Sequence, residues 1–141
     1  MGVGLGRKLG VMDRAECIKY IERHPSQVGR IAIAGPRPVI FPVNYAVDGN
    51  YVVIRTDPGK KFDAALNKSY VAFEVDWVEP TWQTGWSVLI RGQARFVTDP
   101  EEIMRLVQLP LFPWAEGRTP IGKEHFVKIE MDLVSGRKLM E

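Results

Sequence analysis

FPVNYAVDGNYVVIRTDPGKKFDAALN, residues 41 to 67, carries the pattern from which the rest of the chain can be read. Starting two residues upstream, Val39, Phe41, Val43, Tyr45 and Val47 share one face, while Ile40, Pro42, Asn44 and Ala46 share the other. A period of two is the signature of a strand. Asp48 and Gly49 form a turn dipeptide, and the β-branched run at 51 to 56 resumes extended chain, so residues 39 to 56 read as a hairpin. Asp57, Pro58 and Gly59 break it. Phe62, Ala65 and Leu66 then recur at helical spacing on a segment opened by Lys60 and Lys61, which predicts a short helix directly after the hairpin.

Upstream, Asp13 and Glu16 stand in the relation of a capping box, and Cys17, Ile18 and Ile21 give one apolar helical face that Pro25 and Gly29 end. Residues 30 to 34 alternate as a half-buried strand does. Residues 1 to 11, opening MGVGLGRKLG, read as a flexible leader, and either Met1 or Met12 suits as the natural start. Downstream, residues 70 to 76 form a strand, and Trp86, Val88, Ile90, Gly92, Ala94 and Phe96 make one face of a long one. The small Gly92 and Ala94 mark close backbone packing or a barrel bend. Asp99 caps a helix, Pro100 takes its first position, and Glu102 favours its positive dipole end. A final strand is expected near residues 126 to 131. Six strands and three short helices, with strands following one another without long crossovers, predict a mainly β protein. Its expected form is a six-stranded antiparallel sheet closed on itself, as a single domain over residues 12 to 141.

Composition narrows the function classes. The 141 residues carry 19 basic and 17 acidic side chains, a formal charge of only +2, so bulk charge gives nucleic acid no purchase. No apolar run approaches the ~20 residues that cross a bilayer, and the first ten residues lack a signal peptide's hydrophobic block. A cytoplasmic protein without a membrane partner is the expectation. The single cysteine, Cys17, can form neither an internal disulfide nor a CxxC motif. Redox chemistry would need a borrowed cofactor. His24 and His125 lie far apart without a nearby carboxylate or Cys spacing, so no metal site is expected, and no G-x-S-x-G occurs. His24 reads as a solvated helix end.

One region gathers polar chemistry. Arg55 and Thr56 at a strand end, Gly59 in the turn, and Lys60 and Lys61 at a helix start place cations, a hydroxyl and backbone donors together, which suits a phosphate. A solvated basic turn is the plain alternative for the two lysines alone. On the preceding strand, Pro42 removes a ladder donor and implies a sheet edge, which together with Asn44 could read a planar heterocycle. An edge strand with an unemployed Asn accounts for the same pattern. Trp82 and Trp114 fall in loops, where they serve an interface or plug a barrel end.

The run 41 to 76, the run TGWSVLIRGQARFVTDP at 84 to 100 and the closing HFVKIEMDLVSGRKL at 125 to 139 together resemble the pyridoxamine 5′-phosphate oxidase-like flavin-binding split barrels, in their small actinobacterial-type branch. The resemblance covers nearly everything from 13 to 138. It implies a homodimer with two flavin mononucleotide (FMN) sites at the subunit interface. By it, Pro42, Val43, Asn44 and Tyr45 line the isoalloxazine ring, largely through main-chain hydrogen bonds. Arg55 and Thr56 reach the pyrimidine side and phosphate, Lys60 and Lys61 grip the phosphate, and Phe62 packs beside them. Trp86, Ser87 and Val88 approach from the other subunit, and Trp114 and His125 close the pocket. True pyridoxamine phosphate oxidases carry an Arg-x-His element near the C-terminus, whereas Arg137 is followed two places on by Leu139. The resemblance therefore does not extend to the vitamin-forming reaction. It implies a flavin-dependent oxidoreductase of open substrate. A flavin carrier, store or sensor without turnover is one alternative, and a deazaflavin-dependent reductase another.

Overall fold

The computed structural model describes residues 8–56, 59–111 and 125–140. Along them run β1 (Lys8–Met12), α1 (Arg14–Glu22), β2 (Val28–Ile33), β3 (Val39–Asn44), β4 (Ala46–Asp48), β5 (Tyr51–Arg55), α2 (Lys60–Leu66), β6 (Tyr70–Glu79), β7 (Thr84–Phe96), α3 (Pro100–Leu106), β8 (Phe126–Glu130) and β9 (Leu133–Met140). All pairings are antiparallel. The path runs β3-β2-β6-β7-β8-β5-β4, with β9 on β7 and β1 on β9. Its two ends, β3 and β4, are consecutive in the chain and separated by Tyr45 alone. The sheet therefore closes through the chain itself, as a split barrel. None of the described helices is long and apolar enough to cross a membrane.

The barrel interior follows from the period-two pattern. Ile31, Val43, Phe73, Val75, Val88, Ile90, Val52, Ile54, Val127 and Ile129 all face inward and are buried. Helix α1 covers one end with Cys17 and Ile21, its start held by Asp13, whose carboxylate accepts the Glu16 N–H at 2.8 Å. A smaller cluster of Val53, Val97, Leu106, Leu111 and Phe126 lies under α3, so β5 is buried on both faces. Asp99 caps α3 with Pro100 in its first turn, as the sequence predicts.

The class stands, but four details of the sequence reading are corrected. Nine strands among the described residues replace six. Residues 8 to 11 are not leader: with Met12 they form β1, in register with β9 from Lys8↔Met140 to Met12↔Gly136. The last expected strand is β8, and a further strand, β9, follows it. The hairpin expected at 39 to 56 is real only in its second half, where Ala46↔Val53 and Asp48↔Tyr51 pair around the Gly49–Asn50 turn. Val39–Asn44 pairs instead with β2, from Val28↔Asn44 to Ile33↔Val39. Tyr45 makes the switch. Its backbone N–H donates to the Gln27 carbonyl at 3.1 Å, and its ring turns into the core, edge-on to Phe73 at 5.3 Å.

Candidate functional site

The phosphate-like corner forms where β5 runs into α2. Pairing of Arg55 with Phe126 ends β5, and the Arg55 guanidinium lies over the Phe126 ring, 5.8 Å from its centroid. Thr56 is buried, its N–H donating to the His125 carbonyl at 2.8 Å. Gly59, at φ 159°, turns the chain into α2, where the Asp63 N–H donates to its carbonyl at 2.7 Å. Lys61 then projects back over Phe41 of β3, with Nζ 5.3 Å from the ring centroid, a cation–π contact that ties helix to strand. Phe62 stacks on Phe96 at 5.0 Å and meets His125 edge-on at 5.1 Å. Five expected residues, Arg55, Thr56, Lys61, Phe62 and His125, are thus brought to one place. Arg55, Thr56 and Lys61 each also hold partners within the chain. Lys60 opens α2 in the backbone, and Trp114 lies outside the described residues.

The remaining candidates sit on the sheet. Registers across β3, β2, β6, β7 and β9 place one row at Pro42, Arg30, Glu74, Leu89 and Ser135 on the outer face. The neighbouring row contains Asn44, Asp76, Ser87 and Arg137. Pro42, Asn44 and Ser87 therefore share a single outer surface. Val43, Tyr45 and Val88 turn their side chains into the barrel. They are 2%, 1% and 0% exposed inside the barrel, leaving only their main chain to a ligand. The Tyr45 hydroxyl donates to the Ile21 carbonyl, and burial pushes its phenol pKa up. β3 ends the hydrogen-bonded path, which is the edge that Pro42 implied. Trp86, on the opposite face of β7 from Ser87, packs against Tyr20 at 5.2 Å.

Sequence reasoning missed the charges on this outer face. Arg30 bridges Glu74 and Asp76, at 3.1 and 3.2 Å. Burial, then the hydrogen bond and charge of Asp76, push the Glu74 carboxyl up to about 7. The hydrogen bond from Glu74 holds Asp76 below the ordinary carboxylate range, with help from Arg30. A proton on Glu74 is therefore donated to the Asp76 carboxylate. The i, i+2 spacing of Glu74 and Asp76 was visible, but their facing partner depends on register, which the sequence does not state. Beside them lies a cavity of about 640 Å³ whose lining includes Asp76, Val78, Trp86, Ser87, Arg137 and Leu139.

His24 is also corrected. It is 6% exposed. Nδ1 accepts from the Ser26 N–H at 3.2 Å, so the proton of the neutral ring sits on Nε2, which donates to the Asp76 carbonyl at 2.8 Å. Its place at a helix C-terminus suggested solvent, but the ring packs against Asp76 and Trp77 of β6.

Comparison with known proteins identifies the fold's relatives. Residues 13–138 match the family model for pyridoxamine 5′-phosphate oxidase. An uncharacterized protein of Mycobacterium tuberculosis is 31% identical over 140 residues, covering 95% of this chain and 88% of that one. Among solved structures, the FAD binding protein of Mycobacterium smegmatis superposes with a TM-score of 0.72 at 27% identity, covering 93% of this chain and 98% of that one. A conserved Corynebacterium diphtheriae protein of unknown function superposes with a TM-score of 0.71 at 30% identity, covering 94% and 98%.

Proposed function

Because the chain belongs to the pyridoxamine 5′-phosphate oxidase family, we propose that it is an FMN-binding oxidoreductase acting as a homodimer. The observation that carries this reading is the meeting of Arg55, Thr56 and Lys61 at the junction of β5 and α2. Two cations and a hydroxyl suit the terminal phosphate of FMN, since charge-assisted hydrogen bonds to phosphate are the strong ones. Phe41, Phe62 and Phe96 give that corner an apolar wall. The edge of β3 at Pro42 to Asn44 offers main-chain groups to the rim of a planar ring, while Val43 and Tyr45 anchor that edge from inside. The relative from M. smegmatis, which binds FAD, supports a flavin as the ligand class.

A bound flavin supplies an electron- and hydride-accepting ring, and the chain's residues hold and orient it. Ser87 and the adjoining outer-face cavity lie on β7, away from the Arg55 corner in sequence and sheet position. A second copy packed on this face would bring its own Ser87 toward the ring.

Titration of FMN and riboflavin into the wild type and the Arg55→Ala/Lys61→Ala variant tests the phosphate assignment. Loss of two charge-assisted contacts should weaken FMN about 100-fold or more while moving riboflavin less than about threefold. Equal losses for both ligands refute it. Anaerobic reduction of the bound flavin by a nicotinamide, followed by absorbance, separates an oxidoreductase from a carrier.

A further inference from the structure

Behind Trp86, on the α1 side of the sheet, lie two adjoining cavities of about 510 and 480 Å³ that share Tyr20, Trp77 and Trp86 as walls. We propose that this cleft is a second small-molecule site, which takes a planar aromatic acid. It stands apart from the Arg55 corner and does not depend on the flavin reading.

The walls are aromatic and fixed. Trp77 and Trp86 are direct cross-strand partners on β6 and β7. Tyr20 of α1 meets Trp86 at 5.2 Å and 63°. His24 stands edge-on to both indoles, 5.5 Å from Trp77 and 5.7 Å from Trp86. Its two ring nitrogens are tied to Asp76 and Ser26, so the imidazole acts as a wedge that sets the angle of the tryptophans. Trp82 completes the mouth from the β6–β7 turn, where it is 63% exposed. Trp77 is 41% exposed. Such rings offer faces and edges on which a planar ligand can stack, and the volumes are those of ordinary ligand clefts.

The rim sets the sign of the ligand. Of its two acids, Glu16 is paired with Lys138, while Glu79 accepts only the Thr81 N–H at 3.1 Å and keeps its charge. Lys19 and Arg23, one helical turn apart on the rim, have no ion-pair partner among the described residues. Lys19 and Arg23 thus face Glu79 alone, which leaves the mouth a net positive charge on its α1 side, where an anionic substituent on a stacked ring would meet it.

Calorimetric titration with naphthalene-1-sulfonate, and with the neutral naphthalene-1-methanol of similar size, tests the proposal. The wild type should bind the sulfonate about fivefold more tightly than the alcohol. Charge reversal by Lys19→Glu/Arg23→Glu should abolish or invert that preference. Trp82→Ala should weaken both ligands about tenfold. All three substituted side chains are exposed, and an unchanged circular dichroism melt would confirm that the fold is intact. FMN affinity should be the same in every one of these variants, which keeps this test separate from that of the Arg55 corner. Absence of saturable binding by the wild type, or sulfonate binding that survives both variants, overturns the proposal.

Discussion

Glu74 shows how one residue acquires behaviour that its type alone does not give. Its side chain is 33% exposed, faces Arg30 across β2 and β6, and shares a proton with Asp76 two positions along the strand. Its folded pKa of about 7 stands above the ordinary 4.5. Between those values the folded chain holds a proton that the unfolded chain has released. The group's contribution to stability is thus complete below about 4.5 and declines as pH rises to about 7. Glu74→Gln removes this dependence. The stability of the variant relative to wild type should improve by about 1 kcal/mol between pH 5 and pH 8, a value discounted for the water that reaches the pair. Urea unfolding at the two pH values measures it, and a difference that does not move with pH would exclude the shared proton. Tyr45 offers a second case. The sequence placed it on one face with Val43, and both side chains are buried on that face. Its hydroxyl partner was not legible, because the Ile21 carbonyl belongs to α1 and reaches it only through the tertiary fold. Tyr45→Phe should cost about 1 kcal/mol in the same measurement.

Elements were legible where one face is apolar and the other polar, and illegible where glycine stands in for the buried side chain. Residues 133 to 139 of β9 read poorly as a strand because Gly136 occupies its most buried position, and a Cβ there would fall 2.6 Å from Cys17 Sγ. β1 was hidden by its glycine-rich context in the same way. The hairpin at 39 to 56 was misassigned for a different reason: alternation reports which side a residue faces, not which strand lies beside it. Gly92 was read correctly as a point of close approach. It lies between the part of β7 that pairs with β9 and the part that pairs with β8. A Cβ at this position would stand 1.8 Å from the Glu130 carbonyl oxygen, which is backbone and cannot swing aside. Gly92→Ala should therefore cost about 3 kcal/mol or prevent folding. Gly35→Ala, where nothing lies within 4 Å of the added carbon, should change stability by less than about 0.5 kcal/mol. Equal effects at the two sites would show that β7 does not bend where the pairing places it.

At the scale of the whole molecule, the outer face of the β3-β2-β6-β7-β9-β1 sheet carries a row of exposed apolar side chains. Ile40, Tyr70, Leu89, Leu133, Leu9 and Val11 all lie exposed on these strands. Across their middle run Arg30, Glu74 and Asp76, a charged row that could set the register of a second copy. Apolar surface on this scale marks an interaction site. Under the proposed homodimer the same face carries Pro42, Asn44 and Ser87, so assembly and flavin binding become one event. Leu89→Arg/Leu133→Arg places two like charges at the centre of the face without touching the barrel interior or the Arg55 corner. Under that proposal the wild type should sediment as a dimer and the variant, at the same concentration, as a monomer. Its FMN affinity should fall at least about tenfold, because contacts from the second chain are lost, although Arg55 and Lys61 remain in place. A folded monomer that keeps wild-type FMN affinity would show that one chain builds the whole site, and Ser87 would then have no part in holding the ring.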